Sequence, residues 1–336
     1  MMLGRSGPMA VRAGLLALAG LAQAAGSAGA GETRIGACPV FPPDNIWNTP
    51  VTDLPVDPRS ADYVASIGAA AKFHADFGAA MEDGVPIGIP FVVVPAGQAK
   101  VPVTLAGYGD EPVPYTEESD AGPAPIPPDA PIEGGLRGDG DRHVIVVQEQ
   151  SCTLYELYMA APNADGSWNA VGSVRFDLES NELRPDGWTS ADAAGLPIFP
   201  GLVRFDEVAA GEISHALRFT APRTRDGYVW PARHAASDSA DPALPPMGQR
   251  FRLKAGFDMS GYSARNRVIL RALQTYGMIL ADNGSAWFVS GAPDARWDDE
   301  ELQGELRRLT GADFEAVDTS GLMGNIDSAA AGRDGG

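Results

Sequence analysis

The segment HVIVVQEQSCTLYELYMAAPNADGSWNAVGSVRFDL (residues 143–178) decides the fold. It contains three runs, residues 143–149, 152–160 and 170–178, in which apolar and polar residues tend to alternate, as in half-buried β-strands. The NADG sequence at 163–166 is typical of a hairpin turn between the last two runs. The segment therefore predicts three consecutive strands of one sheet.

Similar patterns occur on both sides of this segment. Further strands are predicted at residues 89–95, 201–208, 213–220, 227–230 and 251–257, helices at 60–72, 264–280 and 298–309, and a tight turn at 282–284. Many strands with few helices between them favour antiparallel sheets. We predict a mainly β (α+β) fold, an antiparallel, jelly-roll-like β-sandwich with a few packed helices. A β-barrel decorated by helices is the alternative.

The N-terminus has the pattern of an export signal. Arg5 and Arg12 form a charged start, and residues 14–25 are small and apolar. Small residues suited to signal cleavage follow, so we predict a signal peptide over residues 1–30. No later run reaches the roughly 18 apolar residues that a membrane span needs. These features predict a secreted or periplasmic protein without a membrane span.

The remaining chain is predicted to form one β-rich domain over residues 31–322. An extended, proline-rich segment begins it, and residues 112–135, rich in Pro, Asp and Glu, predict a long irregular loop. Residues 323–336 are small and polar, which predicts a disordered tail. Hydrophobic residues make up 44% of the sequence, enough for a sizeable core.

The net charge of −19 disfavours some partners. Such a chain repels nucleic acids and anionic membrane surfaces, so we expect no nucleic-acid partner. The acidic surface favours neutral or cationic ligands only weakly, and solubility is the better explanation of the negative charge.

The chain has two cysteines, Cys38 and Cys152. In an oxidising compartment two cysteines can pair in only one way, so we predict one disulfide. It would attach the N-terminal segment to a strand.

His215 lies in a predicted strand where an apolar residue is expected. With strict alternation it shares a face with Ile213, Leu217 and Phe219. A buried histidine needs partners for its ring nitrogens. Two interpretations stay open, a satisfied histidine in a core network and a functional histidine on the floor of a cleft.

Glu156 and Asp177 lie on successive predicted strands joined by the hairpin. Glu156 shares a face with Leu154 and Tyr158, and Asp177 follows Arg175 on its own strand. Both carboxylates could simply be solvated. If they face each other across one sheet, they form the acid/base or nucleophile pair of a glycosidase.

Four residues are candidates for substrate binding. Trp230, Arg233 and His234 lie close together in YVWPARH, and Trp188 lies at the edge of a loop. Tryptophans can stack on sugar rings, and a guanidinium can bind an anionic or hydroxyl group. Packing of Trp188 on a helix end and a structural ion pair of Arg233 are the alternatives.

Metal binding has weaker support. The GDGDRH stretch (138–143) has the alternating acids of calcium loops but lacks their downstream glutamate. The four histidines, His74, His143, His215 and His234, show no HxH or HExxH spacing. We therefore predict no metal ligands or cofactor, with a structural calcium ion as a minor possibility.

Four segments, FPPDNIWN, CTLYELY, RPDGWTSADAAGLPI and YVWPARH, resemble a group of secreted bacterial proteins with no established activity. The resemblance extends over most of the mature chain. It implies export and a single cooperative domain, and it assigns no catalytic residue.

These features favour an extracytoplasmic carbohydrate-active enzyme, a glycoside hydrolase or polysaccharide lyase. Glu156, Asp177 and His215 would be its catalytic residues, and a polysaccharide or other envelope or extracellular glycan its partner. A non-catalytic carbohydrate- or envelope-binding protein is the second hypothesis. A secreted metal-binding protein that uses the histidines is the third.

Overall fold

The computed structural model describes Met1 and residues 32–332, apart from residues 83, 110 and 121. Except for Met1, the predicted signal peptide (1–30) lies outside the described residues, and so do residues 333–336. None of the described helices combines the length and apolar composition that a membrane span requires.

The described chain contains many short strands. They are β1 (Arg34–Ile35), β2 (Cys38–Pro39), β3 (His74–Asp76), β4 (Met81–Glu82), β5 (Val85–Pro86), β6 (Phe91–Val94), β7 (Val103–Leu105), β8 (Val144–Gln148), β9 (Thr153–Tyr158), β10 (Ala161–Pro162), β11 (Trp168–Ala170), β12 (Gly172–Asp177), β13 (Leu217–Ala221), β14 (Arg250–Leu253), β15 (Met278–Asn283), β16 (Phe288–Ser290) and β17 (Phe314–Val317).

A four-stranded sheet contains the three strands predicted from residues 143–178. Its order is β12-β9-β8-β6. The β12/β9 and β9/β8 pairs are antiparallel, as predicted, whereas β6 pairs with β8 in parallel. Every residue of β8 is buried, because both faces of this sheet are covered.

The proline-rich loop covers one of these faces. Parallel neighbours need a crossover connection, and the chain between β6 and β8 provides it. Ala124, Ile126 and Ile132 of this loop form a hydrophobic cluster with residues such as Val146 and Leu157 of the sheet. The loop thereby forms a second, smaller core.

A six-stranded sheet lies on the other side of the main core. Its order is β17-β14-β15-β13-β16-β3, with parallel β13/β15 and β16/β3 pairs and antiparallel pairs elsewhere. Side chains from both large sheets, such as Ile145 and Phe219, belong to one hydrophobic cluster. The predicted mainly β, sandwich-like fold with a few helices is confirmed. Its sheets are mixed, with parallel pairs among the antiparallel ones.

Four α-helices occur within the described ranges. They are α1 (Ser60–Ile67), α2 (Phe205–Ala210), α3 (Ala264–Thr275) and α4 (Asp299–Leu306). The side chains of Ser263 and Asp298 accept hydrogen bonds at the starts of α3 and α4, from Asn266 N–H (3.2 Å) and Glu301 N–H (3.1 Å). These caps satisfy backbone donors that the helices themselves leave free.

The predicted strand at 201–208 is wrong, because part of this segment forms α2. Phe205 and Val208 are buried one turn apart, which is the helical period. Gly211 ends the helix with a φ of 92°, in the left-handed region that glycine adopts easily.

The C-terminal part of the helix predicted at 264–280 is a strand instead. Helix α3 ends at Thr275, and Gly277 follows with a φ of 67°. Residues 278–283 then form β15 beside β13, so the predicted turn at 282–284 is also wrong at Asp282 and Asn283. Tertiary pairing therefore overrides the local turn preference of the Asp-Asn-Gly sequence.

Residues 323–332, the C-terminal segment, pack against the domain instead of being disordered. Arg233 donates to the Ile326 carbonyl and to Asp327 Oδ1, both at 2.7 Å. Trp230 Nε1 donates to the Ser328 carbonyl at 2.9 Å. The small polar residues predicted a disordered tail, but two of their backbone carbonyls and the Asp327 side chain accept these hydrogen bonds.

The predicted disulfide is confirmed. Cys38 and Cys152 are bonded, with Cα atoms 5.3 Å apart and a sequence separation of 114. The bond attaches β2 to the residue that precedes β9.

Candidate functional site

Glu156 is a buried structural carboxylate. It is 0% exposed, and its carboxylate oxygens accept hydrogen bonds from the backbone N–H groups of Ile198 (3.0 Å) and Phe199 (2.8 Å). Burial raises the pKa of Glu156 to about 8, although these two hydrogen bonds oppose the shift. Glu156 therefore holds the 198–199 backbone and does not face a cleft.

Asp177 lies on the opposite face of the same sheet. Glu156 pairs with Val174, whereas Asp177 pairs with Thr153, three residues or about 10 Å further along the strand. Asp177 is exposed and accepts a hydrogen bond from Glu179 N–H. The structure does not bring the two carboxylates together, so the predicted catalytic pair is wrong.

His215 belongs to a buried network and not to a cleft floor. His215 is 0% exposed. It precedes β13, because this strand begins at Leu217, four residues after the start of the strand predicted at 213–220. Its Nδ1 lies 2.7 Å from the Ala216 carbonyl, and its Nε2 lies 3.0 Å from Arg204 Nη2 and 3.2 Å from Glu207 Oε2. The satisfied core histidine was therefore the better of the two interpretations.

Arg204 and His215 stabilise the charge of Glu207. Burial alone would raise the pKa of this carboxyl, but Arg204, 2.6 Å away, and His215 together lower it. The network is thus an ion pair in the protein interior.

Arg233 and Trp230 are also structural. Arg233 is 2% exposed and donates to the Arg184 carbonyl as well as to the C-terminal segment. Trp230 is 6% exposed, and its ring nitrogen is engaged by the same segment. Neither side chain is available for substrate in this arrangement.

Trp188 and His234 are more accessible. Trp188 is half-buried, with the Arg184 guanidinium 5.5 Å from its ring centroid. His234 Nδ1 lies 2.9 Å from the Ala193 carbonyl, which makes Nδ1 the donor and leaves Nε2 as the acceptor. Of the seven predicted catalytic and substrate-binding residues, His234 is the one that lines the cavity described next.

A cavity of about 490 Å³, here called the acidic cleft, lies between the two large sheets and the loops that follow them. It is rich in acids, with two tyrosines and one histidine. Its lining residues are Glu111, Tyr115, Glu118, Asp141, Tyr158, Thr189, Ser190, Ala191, Asp192, Ala193, His234, Ala236, Asp282 and Asn283. Its volume is in the range of small-molecule sites.

A buried ion pair forms the base of the acidic cleft. Arg218 on β13 donates to both carboxylate oxygens of Asp192, from Nε at 3.0 Å and from Nη2 at 2.8 Å, and Nη1 donates to Ser290 Oγ at 2.5 Å. Burial disfavours the charge on Arg218, but Asp192 raises its pKa above the ordinary value, so the guanidinium stays charged. This bidentate pair fixes a rigid polar floor.

Asp282 is the strongly perturbed acid of the cleft. Burial, followed by the negative charge of Asp192, raises its pKa to about 7, and Arg218 opposes this shift. Asp141, an exposed residue that also lines the cleft, raises the pKa further. Asp282 thus keeps its proton to a higher pH than an ordinary aspartate, as a general acid requires.

Two tyrosines form part of the wall near Asp141. The rings of Tyr115 and Tyr158 are parallel within 2°, with centroids 6.1 Å apart. Burial, with the charge of Asp141 adding to it, raises the pKa of Tyr158, so this hydroxyl stays protonated and can donate a hydrogen bond. The wall therefore presents phenol groups beside carboxylates.

His143 connects the acidic cleft to a second cavity. Its Nε2 lies 4.0 Å from Asp141 Oδ2, in the acidic cleft, and 3.8 Å from Glu133 Oε2. Glu133 lines a neighbouring cavity of about 930 Å³, together with Asp76 and the glycine-rich loop 134–140. Burial raises the pKa of both Glu133 and Asp76.

The histidines do not form a metal centre. His74 pairs loosely with Asp76 (3.8 Å), while His215 and His234 have separate partners. Over residues 32–332, as far as they are described, no group of three His, Cys, Asp or Glu side chains is placed to hold a metal ion. Asp139 and Asp141 of the GDGDRH stretch (138–143) line two different cavities.

Sequence reasoning missed Asp282, Asp192 and Arg218. Asp282 lies in the predicted turn at 282–284, and strict alternation places Arg218 on the strand face opposite to His215 and Leu217. No local signal indicates this site, because Asp282 and Arg218 come together only through the parallel pairing of β15 with β13, which is a long-range contact. Comparisons with protein-family models, curated proteins and solved structures found no match for this chain.

Proposed function

We propose that this protein is a secreted or periplasmic glycoside hydrolase and that its reaction takes place in the acidic cleft. Asp282 is the general acid, and Asp141 is the second carboxylate. The observation that carries the proposal is the pKa of about 7 of Asp282 in a cleft that also contains Asp141. The disulfide is consistent with an oxidising compartment.

The reaction follows from the two roles. Asp282 donates its proton to the glycosidic oxygen as the bond to the anomeric carbon breaks. Asp141 either takes a proton from the attacking water, which inverts the anomeric centre, or attacks that centre itself, which retains it after hydrolysis of the intermediate. The anomer of the first product distinguishes these two routes.

The charge of the cleft favours hydrolysis over β-elimination. Polysaccharide lyases act on uronic acids, whose carboxylates would meet Glu111, Glu118 and Asp141. Like charges in a cleft cost binding free energy, whereas neutral and amino sugars avoid this cost. We therefore propose a neutral or cationic glycan as substrate. Tyr115 and Tyr158 would donate hydrogen bonds to its hydroxyl groups.

The tyrosine wall also supports a second candidate, a non-catalytic glycan-binding protein. The parallel rings of Tyr115 and Tyr158 provide an aromatic surface that needs no acid to bind a sugar. In that case Asp282 would affect affinity and not turnover.

The test is hydrolysis of neutral and amino-sugar polysaccharides, measured as release of reducing ends. We expect Asp282→Asn and Asp141→Asn to lower kcat by about 100-fold or more, because each removes a proton-transfer or nucleophilic group. Asp177→Asn is the matched control, since it changes an exposed aspartate elsewhere, and should leave kcat unchanged. Wild-type kcat should fall as pH rises through about 7, where Asp282 loses its proton.

Binding measured by calorimetry separates the two candidates. Asp282→Asn should still bind the substrate of a hydrolase. Binding without turnover in the wild type would support the second candidate, a non-catalytic glycan-binding protein. Equal turnover in the wild type and both cleft variants would refute the assigned roles.

A further inference from the structure

A groove between α2 and α3 has a charge opposite to that of the chain. It has a volume of about 470 Å³, with Phe205, Val208 and Val268 among its apolar lining. Arg265, Arg267 and Arg271 of α3 form its wall. No Asp or Glu lines this groove among the described residues, although the chain carries a net charge of −19.

These three arginines have no acidic partner. Within the described part of the chain, no carboxylate oxygen lies within 4.0 Å of their guanidinium nitrogens. Arg267 donates to the Tyr262 carbonyl at 2.8 Å and Arg271 to the Gly211 carbonyl at 3.2 Å. Each guanidinium has five N–H donors, so most donors remain free for a ligand.

The nearest acids on α2 are already paired. Asp206 lies 2.8 Å from Arg296, and Glu207 pairs with Arg204 and His215. Arg265 lies 5.6 Å from the centroid of the Phe205 ring, which holds this guanidinium at the groove. The positive charge of the groove is therefore not neutralised by its own elements.

We propose that this groove binds an anionic glycan whose charges are widely spaced along the chain. Arg267 and Arg271 are one helical turn apart, about 6 Å along α3, so they can contact neighbouring anionic groups of one ligand. A guanidinium binds a carboxylate or sulfate through two parallel hydrogen bonds. The apolar lining, with Val208 and Val268, suits the carbon faces of sugar rings.

The small number of arginines in this groove favours a sparsely charged glycan over nucleic acid. Double-stranded DNA carries one charge per about 1.7 Å, and its affinity depends on neutralising many phosphates. Three arginines on a chain of charge −19 cannot do so. A single strand would also need an open aromatic face for stacking, but Phe205 is buried and lies beside Arg265 and Arg296.

An acidic peptide fits the groove less well. Peptides usually dock by adding a strand to a sheet edge or by placing apolar anchors in a deep apolar groove. Here two helices form the walls, so the groove offers no sheet edge to which a peptide strand could be added. Guanidinium donors above a shallow apolar floor match a carboxylated sugar better.

The test is calorimetric binding of hexagalacturonic acid to the intact chain, with maltohexaose as the uncharged comparison. We expect the double variant Arg265→Gln/Arg271→Gln to bind hexagalacturonic acid at least roughly tenfold more weakly. The control is Arg175→Gln/Arg223→Gln, which removes the same charge from exposed arginines elsewhere and should bind as the wild type does. Thermal unfolding should be similar in both variants.

Three results would overturn the proposal. The first is no binding of hexagalacturonic acid by the wild type, and the second is equal binding by the wild type and the groove variant. The third is tighter binding of hexaglutamate or of a short single-stranded DNA than of hexagalacturonic acid. Because this assay measures binding at α3 and not turnover, its outcome is independent of the proposed hydrolase activity.

Discussion

Glu156→Gln should change the pH dependence of stability in a way that its burial dictates. The pKa of this carboxyl is about 8 in the folded chain against an ordinary value of 4.5. An acid with a raised folded pKa binds its proton more tightly in the folded state. The contribution of Glu156 to the free energy of unfolding is therefore largest below about pH 4.5 and falls as the pH rises towards 8.

The size of the effect follows from that difference in pKa. Each unit corresponds to about 1.4 kcal/mol, so deprotonation of Glu156 lowers the free energy of unfolding by up to about 5 kcal/mol. Glutamine cannot lose a proton and lacks this contribution. Its amide group is a poorer partner for the N–H groups of Ile198 and Phe199, which costs about 1–3 kcal/mol at every pH.

The two stability curves should therefore converge or cross between pH 5 and 9. Urea unfolding at pH 5, 7 and 9 measures this, and Asp177→Asn, on the exposed face of the same sheet, should follow the wild type throughout. The titration of Asp282 contributes equally to the wild type and the glutamine variant, so their difference isolates Glu156. Parallel curves for the wild type and Glu156→Gln would refute the reasoning.

Three further substitutions test the structural roles of residues outside the acidic cleft. His215→Gln should lower the free energy of unfolding by about 1–3 kcal/mol, because it replaces a buried partner of Glu207. The kcat should stay unchanged, and a loss of kcat in fully folded protein would contradict this structural role. Arg233→Gln should release the C-terminal segment, which limited proteolysis detects as faster cleavage there, and unchanged cleavage would argue against the clamp. Replacing Cys38 and Cys152 by serine should lower stability by up to about 4–5 kcal/mol in urea, and stability equal to the wild type would contradict this.

Much of the fold could be predicted from local pattern. The strands around residues 144–177 alternate clearly, and their hairpin turn has suitable residues, so sequence alone indicates that sheet. The pairing of Cys38 with Cys152 needed only the count of cysteines and an oxidising compartment. In each case the information lies within a short segment or in the composition.

The site could not be predicted because it depends on how separate segments meet. Glu156 was placed correctly on the face of Leu154 and Tyr158, but only the packing of the second sheet decides that this part of the face is sealed. Asp282 has the sequence context of a turn, and only the parallel pairing of β15 with β13 places it in a cleft. Long-range contacts of this kind leave no periodic trace in one sequence.

The meeting of the two ends of the domain affects how the chain can complete folding. Ile46 N–H donates to the Ala329 carbonyl at 2.8 Å, and Asn45 forms a bridge with Ala330. A ribosome or an export channel delivers residues 45–46 first, so these contacts form only after residues 329–330 have emerged. Because residues 45–46 lie beside residues 329–330, circular permutation is practical with a linker long enough to run from residue 332 back to residue 32 and with new ends opened in an exposed loop.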